Sequence, residues 1–384
     1  MLYESRKEIW YDPMKEMWAY VYDDQRVQKK RVPVPSLRPK DVLVQIDRVS
    51  VCGSDFHIFS NDDWAQESIS PGIVIGHEGC GTVVKVGEDV QSVSVGDYVV
   101  LESHYACPEC EQRGKDADSC SHYGIIGVHG SRFGRNDHET GGVFAEFIAI
   151  PHYCCYPISH NVKEGISPSL LEPAGNSWEI IRYMREHGLP RHFAIYGCGP
   201  HGLNMQLFAR HAGIKNIVAF ETDPWRLELA KDFAAAHHVI NPDETSLDEI
   251  LKLTGLDGFD VAIDMVGSLP VVESCKDIVK DGGMVILFGL PRHEALIAHG
   301  DNFSQIIFNN EELSVQHKGK NIVLRGFTGR TRKTWIEMLE ALDQNASLRE
   351  KLSKPLEMLG SLHDLESFIH QPKGHYLKIG LSSF

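Results

Sequence analysis

No stretch of this 384-residue chain comes near the ~18 consecutive apolar residues that a membrane-spanning helix requires, so none of it is expected to cross a membrane. Basic residues are also in short supply. The 38 lysines and arginines stand against 53 aspartates and glutamates, a formal net charge of -15, and KKR at 29–31 is the one tight basic run. Sequence-independent binding to nucleic acid needs clustered cations to displace counterions, so no nucleic-acid partner is expected. The basic run itself reads as a solvated turn. The opening MLYESRKEIWYDPMKEMW carries charge throughout and lacks the apolar core and small-residue cleavage site of a secretion signal, which makes a cytoplasmic location the expectation. With nine cysteines, an odd number, and no secretion signal, thiol or metal chemistry is favoured over a disulfide framework.

What is present describes a globular protein. Hydrophobic residues make up 42% and charged residues 24%, and a chain of this length is expected to divide its core between two domains. From about residue 15 to 160 short β-branched runs are broken by glycine and proline (WAYVYD, DVLVQIDRVSV, GTVVKVG, DYVVLE, FAEFIAI), which predicts an all-β segment. Beyond about residue 168 the periodicity changes. LLEPAGNSWEIIRYMREHG spaces its apolar residues as a helix does, with Gly188-Leu189-Pro190 as the stop. HFAIYG, NIVAFE, FDVAIDMVG and GGMVILFG then read as strands separated by helices, so an α/β fold with a doubly wound parallel sheet is predicted. Residues 327–384 mix helix and strand and are expected to return to the first domain.

The strand ending at Tyr196 runs into Gly197-Cys198-Gly199-Pro200-His201-Gly202, a GxGxxG sequence at the start of a helix. In that context Gly197 permits the turn, Gly199 lets backbone approach a pyrophosphate, and Gly202 allows close helix packing. Pro200 and His201 open the helix whose N-terminus faces the anion. Glu221 closes the next strand, where a carboxylate accepts hydrogen bonds from ribose hydroxyls and repels a 2′-phosphate. NAD is therefore expected as cofactor over NADP. Arg226, on the following helix, is the rival group that would bind a phosphate.

In the first half, VCGSDFHIF at 51–59 and GHEGCG at 76–81 bring together ligand types that zinc takes readily: Cys52, His77 and Glu78. A metal that activates an alcohol needs three protein ligands and an open position. Glu172, in LLEPAGN at the entrance to the parallel-sheet region, is the next acidic candidate. Taken singly, each of these residues would more often be structural than catalytic.

Their order is what matters. CGSDFH, GHE, EPAGN and GCGPHG occur in the sequence in which the zinc-dependent medium-chain alcohol dehydrogenase family carries its motifs, and the chain resembles that family over almost its whole length. GHEGCGTVVKVGEDVQSVSVGDYV resembles its glycine-rich stretch, and DMVGS with GGMVILFG its nicotinamide-side turns, which implies Val266 and Gly289 as cofactor contacts. The resemblance implies a mainly-β GroES-like catalytic domain at 1–167 with 327–384, and a Rossmann NAD-binding domain at 168–326. It makes Cys52, His77, Glu78 and Glu172 candidate zinc ligands, and places Ser54 and His57 as a hydroxyl and histidine proton relay. Glu172 is also a candidate catalytic group. Asp55 is expected either to orient a neighbour or to cap a helix. Within the family, CGSDFHIF, EPAGNSW and RGFTGRTRKTW resemble the threonine dehydrogenase branch, which implies oxidation of a 3-hydroxyl. Around the substrate this points to His57, Trp64, Asn176 and Arg330, with Arg330 serving a carboxylate or the cofactor. The polyol and vicinal-diol branch shares the ligand set and is the alternative. The family also implies a small-molecule alcohol substrate and a homo-oligomer, dimer or tetramer.

The pattern breaks in one lobe. The family's structural zinc site has four cysteines spaced C-x2-C-x2-C-x7-C, whereas this chain has Cys107, Cys110 and Cys120, with Arg113 in the third place. Three thiols leave a tetrahedral site incomplete, so a filled lobe would need His122, Glu111 or His104. An extra N-terminal segment and a longer PRHEALIAHGDNFSQ are the other departures, each expected to border the cleft or a subunit interface.

Overall fold

The computed structural model describes residues 16–106, 110, 120, 123–128, 141–289, 303–369 and 377–384. Its first half is built on the strand Asp41–Val51, whose alternating side chains bury Val42, Val44, Ile46, Val49 and Val51 in one apolar cluster. This strand pairs antiparallel with Glu78–Val86, with Phe147–Pro151 and with Lys378–Ser382. The end of the chain is thereby returned to the first sheet. Register does the rest: Ser50 lies opposite Glu78, and Val51 opposite Ile379.

Strand Glu16–Asp23 pairs with Arg26–Pro33 through a two-residue turn in which Asp24 and Gln25 both have left-handed φ, 49° and 58°. That turn lies upstream of KKR, so the run expected to be a solvated turn belongs instead to an edge strand. Its cations are at least partly solvent-exposed along the strand, a usual way of keeping an edge from pairing.

The second sheet has the order His238–Ile240, Asn216–Phe220, His192–Tyr196, Phe259–Asp264, Val279–Leu287 and Lys320–Gly326, all parallel, with Glu312–His317 antiparallel at the end. Strand order reverses between His192–Tyr196 and Phe259–Asp264, which opens a crevice at their carboxyl ends, the Rossmann arrangement. Helix Leu171–His187 ends at Gly188, whose φ of 106° continues no helix. Trp178 of this helix shares a core cluster with Phe193 and Ile195 of the sheet, and with Trp335 and Met338 of helix Arg332–Gln344. No helix among the described residues is long and apolar enough to cross a membrane.

Candidate active site

Cys52 ends the central strand of the first sheet and N-caps helix Gly53–Ser60. The Asp55 carboxylate accepts a hydrogen bond from the Cys52 backbone N–H at 2.8 Å, so Asp55 caps the helix. Its other oxygen lies 3.9 Å from His77 Nδ1, and both atoms are buried without a hydrogen-bond partner. Of the two expectations for Asp55 the structure shows capping, while its second oxygen faces His77 without bonding to it.

Cys52, His77 and Glu78 each offer a ligand atom, and these atoms lie within 4.8 Å of one another, the one such group among the described residues. Its electrostatics are those of a site built for a cation. Burial opposes the Cys52 thiolate, but His77, His201 and Lys378 outweigh it and hold the thiol well below its usual range. Burial likewise opposes the imidazolium, while the Cys52 charge raises His77 to about 10. Desolvation pushes Glu78 up to about 8 against the pull of Lys378. The Cys52 thiolate, with Asp55 and Glu172, draws positive charge onto His77, and a divalent ion would supply that charge directly. The donor set fits zinc.

Lys378 was not among the residues expected from the sequence. It is 4% exposed and donates to Glu78 Oε1 at 2.6 Å, while Ser50 Oγ donates to Glu78 Oε2. The carboxylate is therefore held on both oxygens by neighbours from two strands, the kind of support that orients a metal ligand.

Glu172, the further candidate ligand, lies close enough for its charge to raise both His77 and Glu78. Its Oε1 accepts from Ser103 Oγ at 2.6 Å and from the Arg330 guanidinium at 2.5 Å, and it stands outside the three-residue group. Arg330 is corrected. Its side chain has no solvent exposure, and it is bound to Glu102 through Nε at 3.0 Å and a terminal nitrogen at 2.6 Å, as well as to Glu172. A guanidinium so engaged is not free for a substrate carboxylate or for the cofactor. Trp335 Nε1 donates to the same Glu102 at 2.5 Å. His104, a possible fourth ligand of the cysteine lobe, belongs here too. Its Nδ1 lies 3.2 Å from Glu102, 3.1 Å from Ser103 Oγ and 3.3 Å from Arg330, which leaves a buried Nε2 without a partner. Cys110 and Cys120 pack in one small cluster with Ala106, Tyr123 and Tyr153. Cys107, Glu111 and His122 lie outside the described residues, as do the N-terminal segment and most of the 291–305 stretch.

Ser54 and His57 stand three residues apart, and so on one face, of helix Gly53–Ser60. Ser54 is half-buried, whereas the His57 side chain is 46% exposed and its Nδ1 meets Asp62 Oδ2 at 2.5 Å. Trp64 lies edge-on to His57 at 6.2 Å. Asn176 is half-buried on the helix that also carries Glu172.

In the crevice, Gly197 has φ of 99° and a Cβ at Gly202 would stand 1.9 Å from its carbonyl oxygen, so both positions need glycine for the fold itself. A Cβ at Gly199 would meet no protein atom within 4 Å. Packing within the chain therefore does not require glycine there, and the open space is of the kind a pyrophosphate cradle needs. Glu221 accepts from the backbone N–H of Cys198 at 2.8 Å, of Thr222 at 2.9 Å and of Asp223 at 3.0 Å. Of roughly four acceptor sites on a carboxylate, one is left for a ribose hydroxyl. Arg226 sits at the start of helix Pro224–Phe233, its N–H capped by Asp223. Pro200 and His201 are the first residues of helix Pro200–His211. Val266 is 52% exposed beside Gly197, and Gly289 N donates to the carbonyl of Asp264 at the end of the neighbouring strand. Both lie at carboxyl ends of strands.

Residues 38–160 match the family described as "Alcohol dehydrogenase GroES-like domain", and residues 200–344 that described as "Zinc-binding dehydrogenase". L-Threonine 3-dehydrogenase of Escherichia coli O17:K52:H18 is 28% identical over 320 residues, which cover 83% of this chain and 85% of that protein. Among solved structures, alcohol dehydrogenase TADH from Thermus sp. ATN1 superposes with a TM-score of 0.73 at 24% identity, over 96% of this chain and 100% of that one. 2R,3R-Butanediol dehydrogenase from Bacillus subtilis does so with 0.72 at 21%, over 95% and 99%. Two matched families in sequential order, together spanning well over half of the chain, agree with a three-donor group beside a dinucleotide crevice. The chain therefore belongs to the zinc-dependent medium-chain alcohol dehydrogenases, oxidoreductases that act on CH–OH groups.

Proposed function

We propose that the enzyme oxidises the secondary hydroxyl of a small polar substrate to a ketone, with the 3-hydroxyl of L-threonine as first candidate and 2-amino-3-oxobutyrate as product. The observation that carries the chemistry is the Cys52, His77, Glu78 group on the first sheet. Zinc held by those three side chains supplies Lewis acidity that eases loss of the hydroxyl proton, and a nicotinamide in the crevice supplies the hydride acceptor. The chain's own residues do the remainder. Lys378 and Ser50 fix the Glu78 carboxylate, and Asp55 backs His77. Ser54 accepts the hydroxyl proton as it gives up its own along the relay, and His57, paired with Asp62 at the surface, releases a proton to solvent. Glu221 favours NAD by leaving no room for a second phosphate charge.

The threonine reading is supported by the curated relatives of that name at 28% identity. A polyol or vicinal diol is the second reading, and Arg330 favours it: a substrate carboxylate would find that guanidinium already paired. NADH formation at 340 nm with a panel of alcohols, before and after chelation, separates the two. L-Threonine should give kcat/KM at least about tenfold above sorbitol and 2,3-butanediol, because a site built for polar groups rejects analogues that lack them. Turnover of a polyol with none of threonine would reverse the order. A homo-oligomer is proposed with it; strand Glu312–His317 ends the parallel sheet with Leu313 42% exposed, and light scattering of the purified chain would show whether copies associate.

A further inference from the structure

Helix Gly53–Ser60 ends at Asn61, whose left-handed φ of 51° turns the chain back. The turn is pinned from outside the helix, since Tyr22 Oη donates to Asn61 Oδ1 at 2.6 Å. Asp62 is thereby returned to the helix that the chain has just left. Its backbone N–H meets the His57 carbonyl at 3.4 Å, and its Oδ2 meets His57 Nδ1 at 2.5 Å. The other oxygen has a separate partner: Asp62 is the N-cap of helix Asp63–Ser68, and Oδ1 accepts from the Ala65 N–H at 3.0 Å. With Oδ1 anchored to one helix and Asn61 to a strand, the carboxylate presents Oδ2 to one nitrogen of one ring. His57 Nε2 has no hydrogen-bond partner among the described residues, and Trp64 stands edge-on to the ring at 6.2 Å. An exposed pair of this kind adds little to stability. Its consequence is chemical.

Burial works against ionisation of Asp62, but the His57 contact and the helix N–H groups outweigh it and hold the carboxyl below its ordinary range. An ionised carboxylate only accepts, so the ring nitrogen that meets it must carry a proton. In the neutral ring this leaves Nε2 bare. We propose that Asp62 is a positioning residue that fixes His57 in the Nδ1–H tautomer, so that Nε2 is the atom that takes up the proton arriving along the relay. This rests on the reading that His57 is the outer end of that relay. Uptake at Nε2 gives an imidazolium whose Nδ1–H still bonds to Asp62 and whose charge faces the carboxylate. Loss of the Nε2 proton to water restores the starting tautomer, with no net change in either side chain. The opposite tautomer would already hold a proton at Nε2 and could accept only at the nitrogen turned toward Asp62.

Two substitutions separate this role from the helix cap. Asp62→Asn keeps the shape and remains a good N-cap through Oδ1, but its amide is a donor toward Nδ1 and so favours the Nε2–H tautomer. Asp62→Ser also keeps a cap, yet it is too short to reach the ring and imposes neither tautomer. In NADH formation with L-threonine or 2,3-butanediol, whichever the enzyme oxidises, Asp62→Asn should lower kcat at least about tenfold, toward the deficit on the order of 10²-fold in His57→Asn, with KM for NAD little changed. Asp62→Ser should be slowed less. A purely structural role predicts the reverse order, because asparagine is the closer replacement. Adding Asp62→Asn to His57→Asn should cost nothing further, as expected of two residues that act as one unit. Nitrogen NMR of the histidine-labelled protein, with the His57 signals assigned by their loss in His57→Asn, reads the tautomer without turnover: the proton of the neutral ring should sit on Nδ1 in the parent and on Nε2 in Asp62→Asn. A parent ring not protonated at Nδ1, or Asp62→Asn as fast as the parent while His57→Asn is slow, would overturn the role of Asp62 and leave the relay in place. Parent-like turnover in His57→Asn would overturn the relay itself and this proposal with it.

Discussion

Arg330→Met tests whether the buried ionic network is a major support of the fold. The guanidinium has no solvent exposure and lies between two carboxylates that are themselves almost fully buried, Glu102 at 5% and Glu172 at 4%. Methionine fills similar volume but removes the charge, so two carboxylates remain beside each other without their cation. Breaking a buried pair in this way costs about 3–5 kcal/mol, most of it from the charges left behind. For a cooperative unit on the order of 250 residues, with an unfolding entropy near 2.1 cal/mol/K per residue, this corresponds to a fall in Tm of roughly 6–10 °C.

The pH dependence of that loss distinguishes charge from packing. Burial opposes ionisation of Glu102, but Arg330 outweighs it and holds the carboxyl well below the usual range. A folded-state pKa below the unfolded value contributes stability that is present above the ordinary carboxylate pKa and is lost as pH falls through the folded one. In Arg330→Met this contribution disappears, and protonation relieves the stranded carboxylates, so the difference from the parent should be full at pH 7–8 and shrink below roughly pH 5. Urea unfolding followed by tryptophan fluorescence, with Trp335 inside the network, measures both. Adding Glu102→Gln and Glu172→Gln to Arg330→Met should recover a large part of the loss. A cost under about 1 kcal/mol at neutral pH, or the same cost at about pH 4 and pH 8, would refute the reasoning.

Cys52→Ser should release the metal and abolish turnover while NADH still binds, as metal analysis and NADH fluorescence will show; full activity in a metal-free preparation contradicts this. His57→Asn should slow alcohol oxidation on the order of 10²-fold at neutral pH, with the deficit narrowing at high pH where hydroxide replaces the relay. An unchanged pH–rate profile speaks against the relay. Glu221→Ser should relax the preference for NAD over NADP by at least about tenfold in kcat/KM, since the repulsion of a 2′-phosphate is removed. Equal use of both cofactors by the parent would leave Glu221 without that role.

The parts of the site legible in the sequence are those in which chemistry and chain proximity coincide. Cys52, Ser54 and His57 share a strand end and two turns of helix, and His77 and Glu78 are adjacent; the resemblance in motif order, not spacing, joined the two groups into one candidate site. The glycine turn was legible for a similar reason, because strand, turn and helix follow one another within a few residues. Sequence reasoning failed where a residue's partner is chosen by tertiary pairing. Arg330 was read as a ligand for substrate or cofactor, yet its carboxylates stand 228 and 158 positions away. Nothing local to RGFTGR announces them. KKR failed for the opposite reason: the turn lay a few residues upstream, at an Asp-Gln pair that carries no glycine to mark it.

Lys378 shows what signal the sequence did contain. In the terminal strand Lys378–Ser382, Ile379 and Leu381 point to one face and join the apolar cluster of the first sheet, which sends Lys378 and Gly380 to the other. An ammonium on a strand paired on both sides has no route to water and must find an anion. Register supplies it. Because Ile379 stands opposite Val51 and Ser50 opposite Glu78, the two antiparallel ladders on either side of the central strand bring Lys378 to Glu78 across 300 positions of sequence. The last strand is thus a structural extension of the metal site, and Lys378→Met should loosen Glu78 and remove one of the charges that favour the Cys52 thiolate. Metal affinity should then fall about 10–100-fold, as it does on loss of a partner that orients a ligand, while NADH binding is retained. Unaltered affinity in that variant would mean that Ser50 alone suffices to orient the carboxylate, and that the return of the chain to the first sheet serves packing and not the metal.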